Sequence, residues 1–247
     1  MRRILWAGQT IGVLLIAWQS IILLLSPPRY MLPSPLAVLA AFERQPGFFL
    51  RHGLVTLTEI LLGFVLGVLF GALTAIAIAA FPRLGRLVWP MLLVLQAFPV
   101  FVIAPLLVLW FGFGMASKVI MAMIIIFFPV ASAFGDGMRR IDRDILDAAS
   151  ESVPTHWHML RRIRIPLALP SLLSGLRVAA PLAPLGAVIG EWVGASAGLG
   201  FVMVQANARM QTDTVFAAMT LIAILSLALR HLVDEAAPFI APWAQER

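Results

Sequence analysis

The sequence predicts an all-helical integral membrane protein with six spans. Composition is the first reason. Of 247 residues, 61% are hydrophobic and only 12% are charged, whereas a soluble domain averages about 45–50% apolar and about 25% charged. Periodic interruption is the second. The apolar residues fall into six runs separated by polar stretches, and about 20 apolar residues cross a hydrocarbon core of roughly 30 Å as a helix. The third is one charged island, Arg139 to Pro170, with six arginines and the acids Asp142, Asp144, Asp147 and Glu151. Each ionised side chain at a bilayer centre costs about 2.5–3.5 kcal/mol, so ten would cost on the order of 25 kcal/mol and the island must lie in water. The absence of cysteine excludes disulfides, thiol catalysis and cysteine metal sites. The net charge of +6 sits on arginines between apolar runs, which is a topology signal and not a nucleic-acid-binding face.

The runs follow in order. Ile4 to Leu25 reads as an uncleaved first span, longer than the apolar region of a signal peptide and ending at Ser26-Pro27-Pro28. Residues 27–53, with five prolines, Arg29, Glu43, Arg44 and Arg51, read as non-spanning. Within them Pro35 to Glu43 is expected as a short surface helix capped by Ser34. Leu54 to Ala80 is the second span. Gly63, Gly67 and Gly71 recur every four residues, on one face that lets another helix approach closely. Glu59 is read either as reaching the interface from the first turns or as functional. Leu87 to Phe111 is the third span, bent by Pro90, Pro99 and Pro105. Lys118 to Phe134 is the fourth, Leu172 to Val193 the fifth and Thr214 to Val233 the sixth. Six spans put both termini on one side. Twelve cations collect on that side with the island, five (Arg29, Arg44, Arg51, Lys118, Arg209) on the other, and Arg177 falls inside a span. The positive-inside rule then makes both termini and the island cytoplasmic.

The island resolves into two short helices. Asp144 is expected to cap the first, with Asp147 completing a capping box, and Pro154 to stop it. Thr155 should cap the second, which carries His156, Trp157, Met159 and Leu160 and closes at Pro166. Packed helices usually need only about 2–8 connecting residues. A connection of this length, with two caps, a tryptophan and small-residue faces, reads as a docking element.

The island resembles the coupling loop of permease subunits of bacterial ATP-binding-cassette (ABC) importers: E-A-A, three residues, G, nine residues, I-x-L-P. Here the matching positions are Asp147-Ala148-Ala149, Val153 and Ile163-Arg164-Ile165-Pro166. Val153 for glycine departs from the pattern, because a β-branched residue before proline is extended where glycine suits a left-handed turn. The resemblance runs on through TLTEILLGFVLGVLFG, FPVFVIAPLLVLWFGFG, LPSLLSGLRVA and GEWVGASAGLG, from Leu32 onward. It is to the subfamily importing nitrate, taurine, aliphatic sulfonates and thiamine pyrimidine precursors.

The resemblance implies a type I importer (MetI-like) permease fold over 1–247. In it, 1–53 hold the first span and an extracytoplasmic segment, 54–247 form the core and 139–170 form the coupling loop. It implies a homodimer in the cell inner membrane, served by an ABC ATPase subunit that binds ATP and Mg and by an extracytoplasmic solute-binding protein. The helix around Asp147–Ser152 would insert into a cleft on that ATPase. No G-x-x-x-x-G-K-[ST] phosphate loop occurs in this chain, so no ATP site and no cofactor is expected here. The segment GEWVGASAGLGFVMVQANARMQTD looks most like permeases for hydroxymethylpyrimidine or formylaminopyrimidine, with taurine, sulfonate or nitrate as the alternative.

Candidate pathway residues are Glu191 and Trp192, which could receive a planar hydrogen-bonding ligand, and Gln96, Gln205 and Asn207. Glu191 tying down the following loop is the competing reading. Arg177, near the island, is expected to bind carbonyls or the island's acids. Three other patterns point elsewhere. Gly194-Ala195-Ser196-Ala197-Gly198 matches a hydrolase elbow, but in the predicted topology no histidine lies in a span near it, although His52 is on the same side. His156 and His158 point apart, which argues against a metal site. Asp234-Glu235-Ala236-Ala237 repeats the acidic motif without room for its distal half and reads as a helix end. A secondary transporter would need embedded acid–base pairs or internal repeats, and neither is evident.

Overall fold

The computed structural model describes residues 2–152 and 155–244. Eleven helices follow one another among them, with no strand. Helix α1 (Arg2–Leu25) precedes a short α2 (Pro35–Arg44), which Ser34 caps by accepting from the Ala37 amide at 3.2 Å. Helix α3 runs from Pro46 to Ala80. The expectation that 27–53 stay outside a span, with the helix starting at Leu54, is corrected. Pro46 occupies the first helical turn, where its missing N–H has no partner to lose, so the helix gains two turns that include Arg51 and His52.

The third apolar run is not one straight span. Helix α4 (Pro82–Gln96) and helix α5 (Val100–Phe111) meet at 97°. Pro99 is extended there, with φ −61° and ψ 121°, and donates no backbone bond. Helix α6 (Met115–Arg139) exceeds the expected 118–134 at both ends. After α7 (Arg143–Ser152), the short α8 (His156–Met159) leads through a π-helical turn, Leu160–Arg164, straight into α9 (Ile165–Gly194). Pro166 therefore does not close the second island helix. The Ile165 amide reaches back five residues to the Leu160 carbonyl. The widened turn leaves room for a proline that cannot continue the ordinary ladder. Island and fifth span form one helical unit, His156–Gly194, of 39 residues. Helix α10 (Leu199–Ala208) and helix α11 (Thr212–Ile240) complete the set. Asp234 to Ala237 lie inside α11 and do not end it.

Four helical units are long and apolar enough to cross a membrane, and a fifth is added if the bent α4–α5 pair counts as one span. Of α1, Gly12–Leu25 registers as a shorter apolar helix. The described residues thus give four to five candidate spans where six are expected.

Helix α6 lies between α3 and α9, and these three form the centre. Ile60, Ala122, Ile126, Val130, Leu173, Ala180 and Ala183 bury one another there, with Leu229 and Val233 of α11 closing the far side. Gly63, Gly67 and Gly71 are buried on the face of α3 that meets α6. A Cβ at Gly67 would stand 2.7 Å from the Ile126 Cβ and 3.0 Å from the Met123 carbonyl oxygen. Gly67→Leu is therefore expected to cost at least about 1–3 kcal/mol through overpacking. It should lower the unfolding midpoint in detergent; a wild-type midpoint would show that α3 and α6 can separate freely.

Candidate functional site

Two regions carry chemistry-bearing groups. The first is the island. Asp142, one residue before α7, accepts from the Asp144 amide at 3.1 Å, so the cap is Asp142 and not Asp144. Asp147 and Ala148 are exposed on α7, and Ala149 is half-buried. The Asp147 carbonyl accepts from the Ser150 hydroxyl at 2.7 Å. Helix α7 packs appreciably only against α8 among the described residues. Val153 and Pro154, where the departure from the coupling pattern falls, lie outside the described residues.

Helix α8 is held from both ends. Thr155 caps it by accepting from the His158 amide at 3.3 Å. His156 Nε2 donates to the Ala80 carbonyl at the end of α3 (3.1 Å), and Trp157 meets Phe81 edge-on at 6.2 Å. Leu160 is buried with Ala75, Phe134, Met138 and Ala168. Ile163, Ile165 and Pro166 are half-buried beside it. Apolar contacts thus fix α8 to α3, α6 and α9, while α7 stands clear.

The second region is a buried polar cluster near the opposite ends of these helices. Its members are His52, Thr56 and Glu59 of α3, Ser117 and Lys118 of α6, and Glu191 of α9, all at most 8% exposed. Thr56 donates to Glu191 Oε1 at 2.6 Å and accepts from the Leu199 amide at 2.7 Å. Gly200 donates its amide to Glu191 Oε2, and the Gly198 amide donates to His52 Nδ1 at 3.0 Å. Gly198 has φ +112°, and a side chain there would run into the Glu191 carboxyl. Lys118 donates to the Phe113 carbonyl (2.7 Å), to Ser117 Oγ (3.3 Å) and to the Gly194 carbonyl. Its cation sits at the C-terminal end of α9, where the helix dipole favours positive charge. Glu59 faces Glu191 and Lys118, and its Oε2 has no hydrogen-bond partner.

This arrangement staples the turn between α9 and α10 onto α3 and α6. Several sequence expectations change with it. Of the two readings of Glu191, the carboxyl is found engaged by the segment that follows it. Trp192 is 46% exposed while Glu191 is 1% exposed, so the two do not form one ligand-facing surface. Glu59 lies well inside α3, far from a first turn. Lys118, expected at the start of the fourth span among the outer-side cations, is buried. Gln96 is exposed at the α4–α5 bend, Gln205 and Asn207 are exposed on α10, and Gln205 lines a cleft of about 300 Å³ with Arg44, Arg209 and Asp213. Arg177 pairs with α11 and, among the described residues, shows no bond to the island's acids; its Nε donates to Asp234 Oδ1 at 2.8 Å.

His52 does reach the Gly194–Gly198 segment, contrary to the expected separation, but its Nδ1 is occupied by the Gly198 amide. Ser196 is exposed. Ser196→Ala is expected to leave transport unchanged, measured as ATP-driven uptake; a lost hydrolytic activity would revive the hydrolase reading. No group of three metal-ligating side chains occurs among the described residues.

The polar cluster was partly legible. His52, Thr56, Glu59, Gly63, Gly67 and Gly71 recur at spacings of three or four and so share one face of α3. The glycine stripe, extended backwards, passes through all three polar residues.

Residues 67–245 match a protein family described as the binding-protein-dependent transport system inner membrane component. A probable ABC transporter permease protein of Haemophilus influenzae is 46% identical over 224 residues, covering 91% of each chain. The riboflavin transport system permease protein RibX of Chloroflexus aurantiacus is 34% identical over 236 residues, covering 95% of this chain and 88% of its own. The formylaminopyrimidine transport permease protein ThiX of Halalkalibacterium halodurans is 30% identical over 236 residues, covering 95% and 94%. The fold resembles a chain of the MetNI methionine ABC transporter solved in inward-facing conformations, with a TM-score of 0.66 over 80% of this chain and 98% of that one, at 19% identity. The chain therefore belongs to the family of inner-membrane permease subunits of binding-protein-dependent ABC importers, which are not themselves catalytic and leave ATP to a separate ATPase subunit.

Proposed function

We propose that this chain forms the translocation pathway of an importer for a planar nitrogen heterocycle, with a thiamine pyrimidine precursor as the substrate. One observation carries the coupling half of the proposal. Helix α7 presents an amphipathic, largely unpacked surface, and α8, the next described helix, opens a 39-residue helical unit through the centre of the bundle. A partner that seats α7 and moves it would pull on α8, and through α8 on α9. The ATPase subunit that the family implies is that partner, with Asp147, Ala148 and Ala149 at the contact and Ile163, Ile165 and Pro166 transmitting it.

The finer architecture belongs to the same proposal. Helix α1 and the bent α4–α5 pair would each count as one span, giving six, with both termini and the island cytoplasmic under the positive-inside rule. Two copies would pair, with the pathway between them. The exposed apolar side chains of α4 and α5, among them Leu93, Val94, Phe101 and Trp110, supply surface for such a pairing.

The substrate class rests on two relatives whose names specify formylaminopyrimidine and riboflavin. Both compounds are nitrogen heterocycles, and taurine, sulfonate or nitrate is the competing class. The test is uptake by proteoliposomes holding the permease, its ATPase and its binding protein. ATP-dependent accumulation of labelled hydroxymethylpyrimidine or formylaminopyrimidine is expected. Accumulation of taurine alone would overturn the substrate, and uptake without any ATPase would overturn the mechanism.

A further inference from the structure

Three arginines from three separate elements converge on one cavity of about 340 Å³ at the island end of the bundle. Arg86 comes from α4, Arg139 from the last turn of α6 and Arg164 from the π-helical turn before α9. Ala75, Ile78, Trp89, Pro90 and Met138 supply most of the remaining wall, which is apolar. Arg139 is already engaged: it pairs with Asp136, and its guanidinium lies 4.1 Å from the centre of the Trp89 ring. Arg86 and Arg164 make no ion pair among the described residues. The Nε of Arg164 is buried with no hydrogen-bond partner. A guanidinium N–H withdrawn from water and left without an acceptor is unfavourable, and an anionic oxygen is the acceptor it fits best. One carboxylate against three guanidiniums leaves the site positive.

We propose that this cavity binds the phosphate diester of an anionic lipid, with the headgroup between Arg86 and Arg164 and hydrocarbon along Ile78, Trp89 and Pro90. The apolar wall favours a lipid over a free phosphate ion, which would leave that wall uncovered. Position agrees. The site lies where the apolar helices α3, α4 and α6 give way to the charged island, the depth of a headgroup layer. Exposed Leu84 and Leu87 continue the apolar surface along α4. An occupant would bridge α4, α6 and the turn leading into α9.

Native mass spectrometry of the permease co-purified with its ATPase tests this. Phosphatidylglycerol and phosphatidylcholine of identical chains are added in turn, and the bound lipid is counted. The wild type should retain phosphatidylglycerol at least about tenfold better, and Arg86→Gln or Arg164→Gln should each lower that retention about fivefold. Arg86→Lys should keep most of it. Glycerol phosphate and inorganic phosphate, added separately, should not displace the lipid. Equal retention of the two lipids, or unchanged retention in both glutamine variants, overturns the site. Displacement by glycerol phosphate at comparable concentration overturns the lipid in favour of a free phosphate. Arg86 is exposed and unpaired, so its glutamine variant is expected to fold, and the comparison of lipids on the wild type needs no variant.

Discussion

Replacing Glu191 with alanine is expected to destabilise the protein by about 3–5 kcal/mol, because it removes the acceptor on which buried donors converge. Oε1 accepts from Thr56 and Oε2 from the Gly200 amide, and the residue is 1% exposed, so water does not replace them readily. The Thr56 hydroxyl has a fallback acceptor in the His52 carbonyl at 3.3 Å, whereas the Gly200 amide lies in the first turn of α10, where a helix offers its amides no carbonyl of its own. Glu59 and Lys118 lose their carboxylate neighbour as well. The unfolding midpoint in detergent should fall by roughly 10 °C. Glu191→Gln should fall in between, since the amide keeps one oxygen and turns an NH2 toward the other donor. A wild-type midpoint for the alanine variant would sink the staple, and a normal midpoint with lost substrate binding would restore Glu191 to the pathway.

Ala149→Arg should nearly abolish ATP-driven uptake, by at least about thirtyfold, the size of an interface hot-spot loss. Ala149 is half-buried on α7, beside exposed Ala148 and Asp147. A long cation there would hold the helix away from any cleft shaped for small side chains. Folding should be spared, since α7 packs appreciably only against α8. The measurement pairs uptake in proteoliposomes with the unfolding midpoint and with recovery of the ATPase during purification. Full uptake by a normally folded variant would mean that the partner does not seat on this face of α7.

The two sites differ in how far they could be read in advance. The island stands out because charge amid apolar sequence is costly in lipid, and within it Asp147-Ala148-Ala149 and Ile163 to Pro166 stand out through the resemblance to the importer coupling loop. Asp142 capping α7 in place of Asp144 is a two-residue question of register, which local sequence leaves open. Glu191 was legible as an embedded acid that either faces a ligand or ties down the following loop, and the sequence left the two readings open. Its partners Thr56, Lys118 and Gly200 lie on three other helices, and no local spacing connects them. Arg177 and Asp234 are 57 residues apart and meet only because α9 packs against α11.

Prolines mark the other boundary. Each one's local effect is written in the residue itself: no amide to donate and a fixed φ. Its consequence depends on neighbours. Pro46 starts a helix, Pro99 stands at a 97° bend, and Pro166 sits inside a continuous helical unit behind a π-helical turn. Composition and patterning suffice to make this chain helical and membrane-embedded, with one charged island, because hydrophobic transfer and the cost of burying charge are properties of the residues. Packing across the bundle sets which prolines break, that the island continues into the ninth helix, and that Glu191, Thr56, His52 and Lys118 close one turn. Those outcomes depend on which helix faces which.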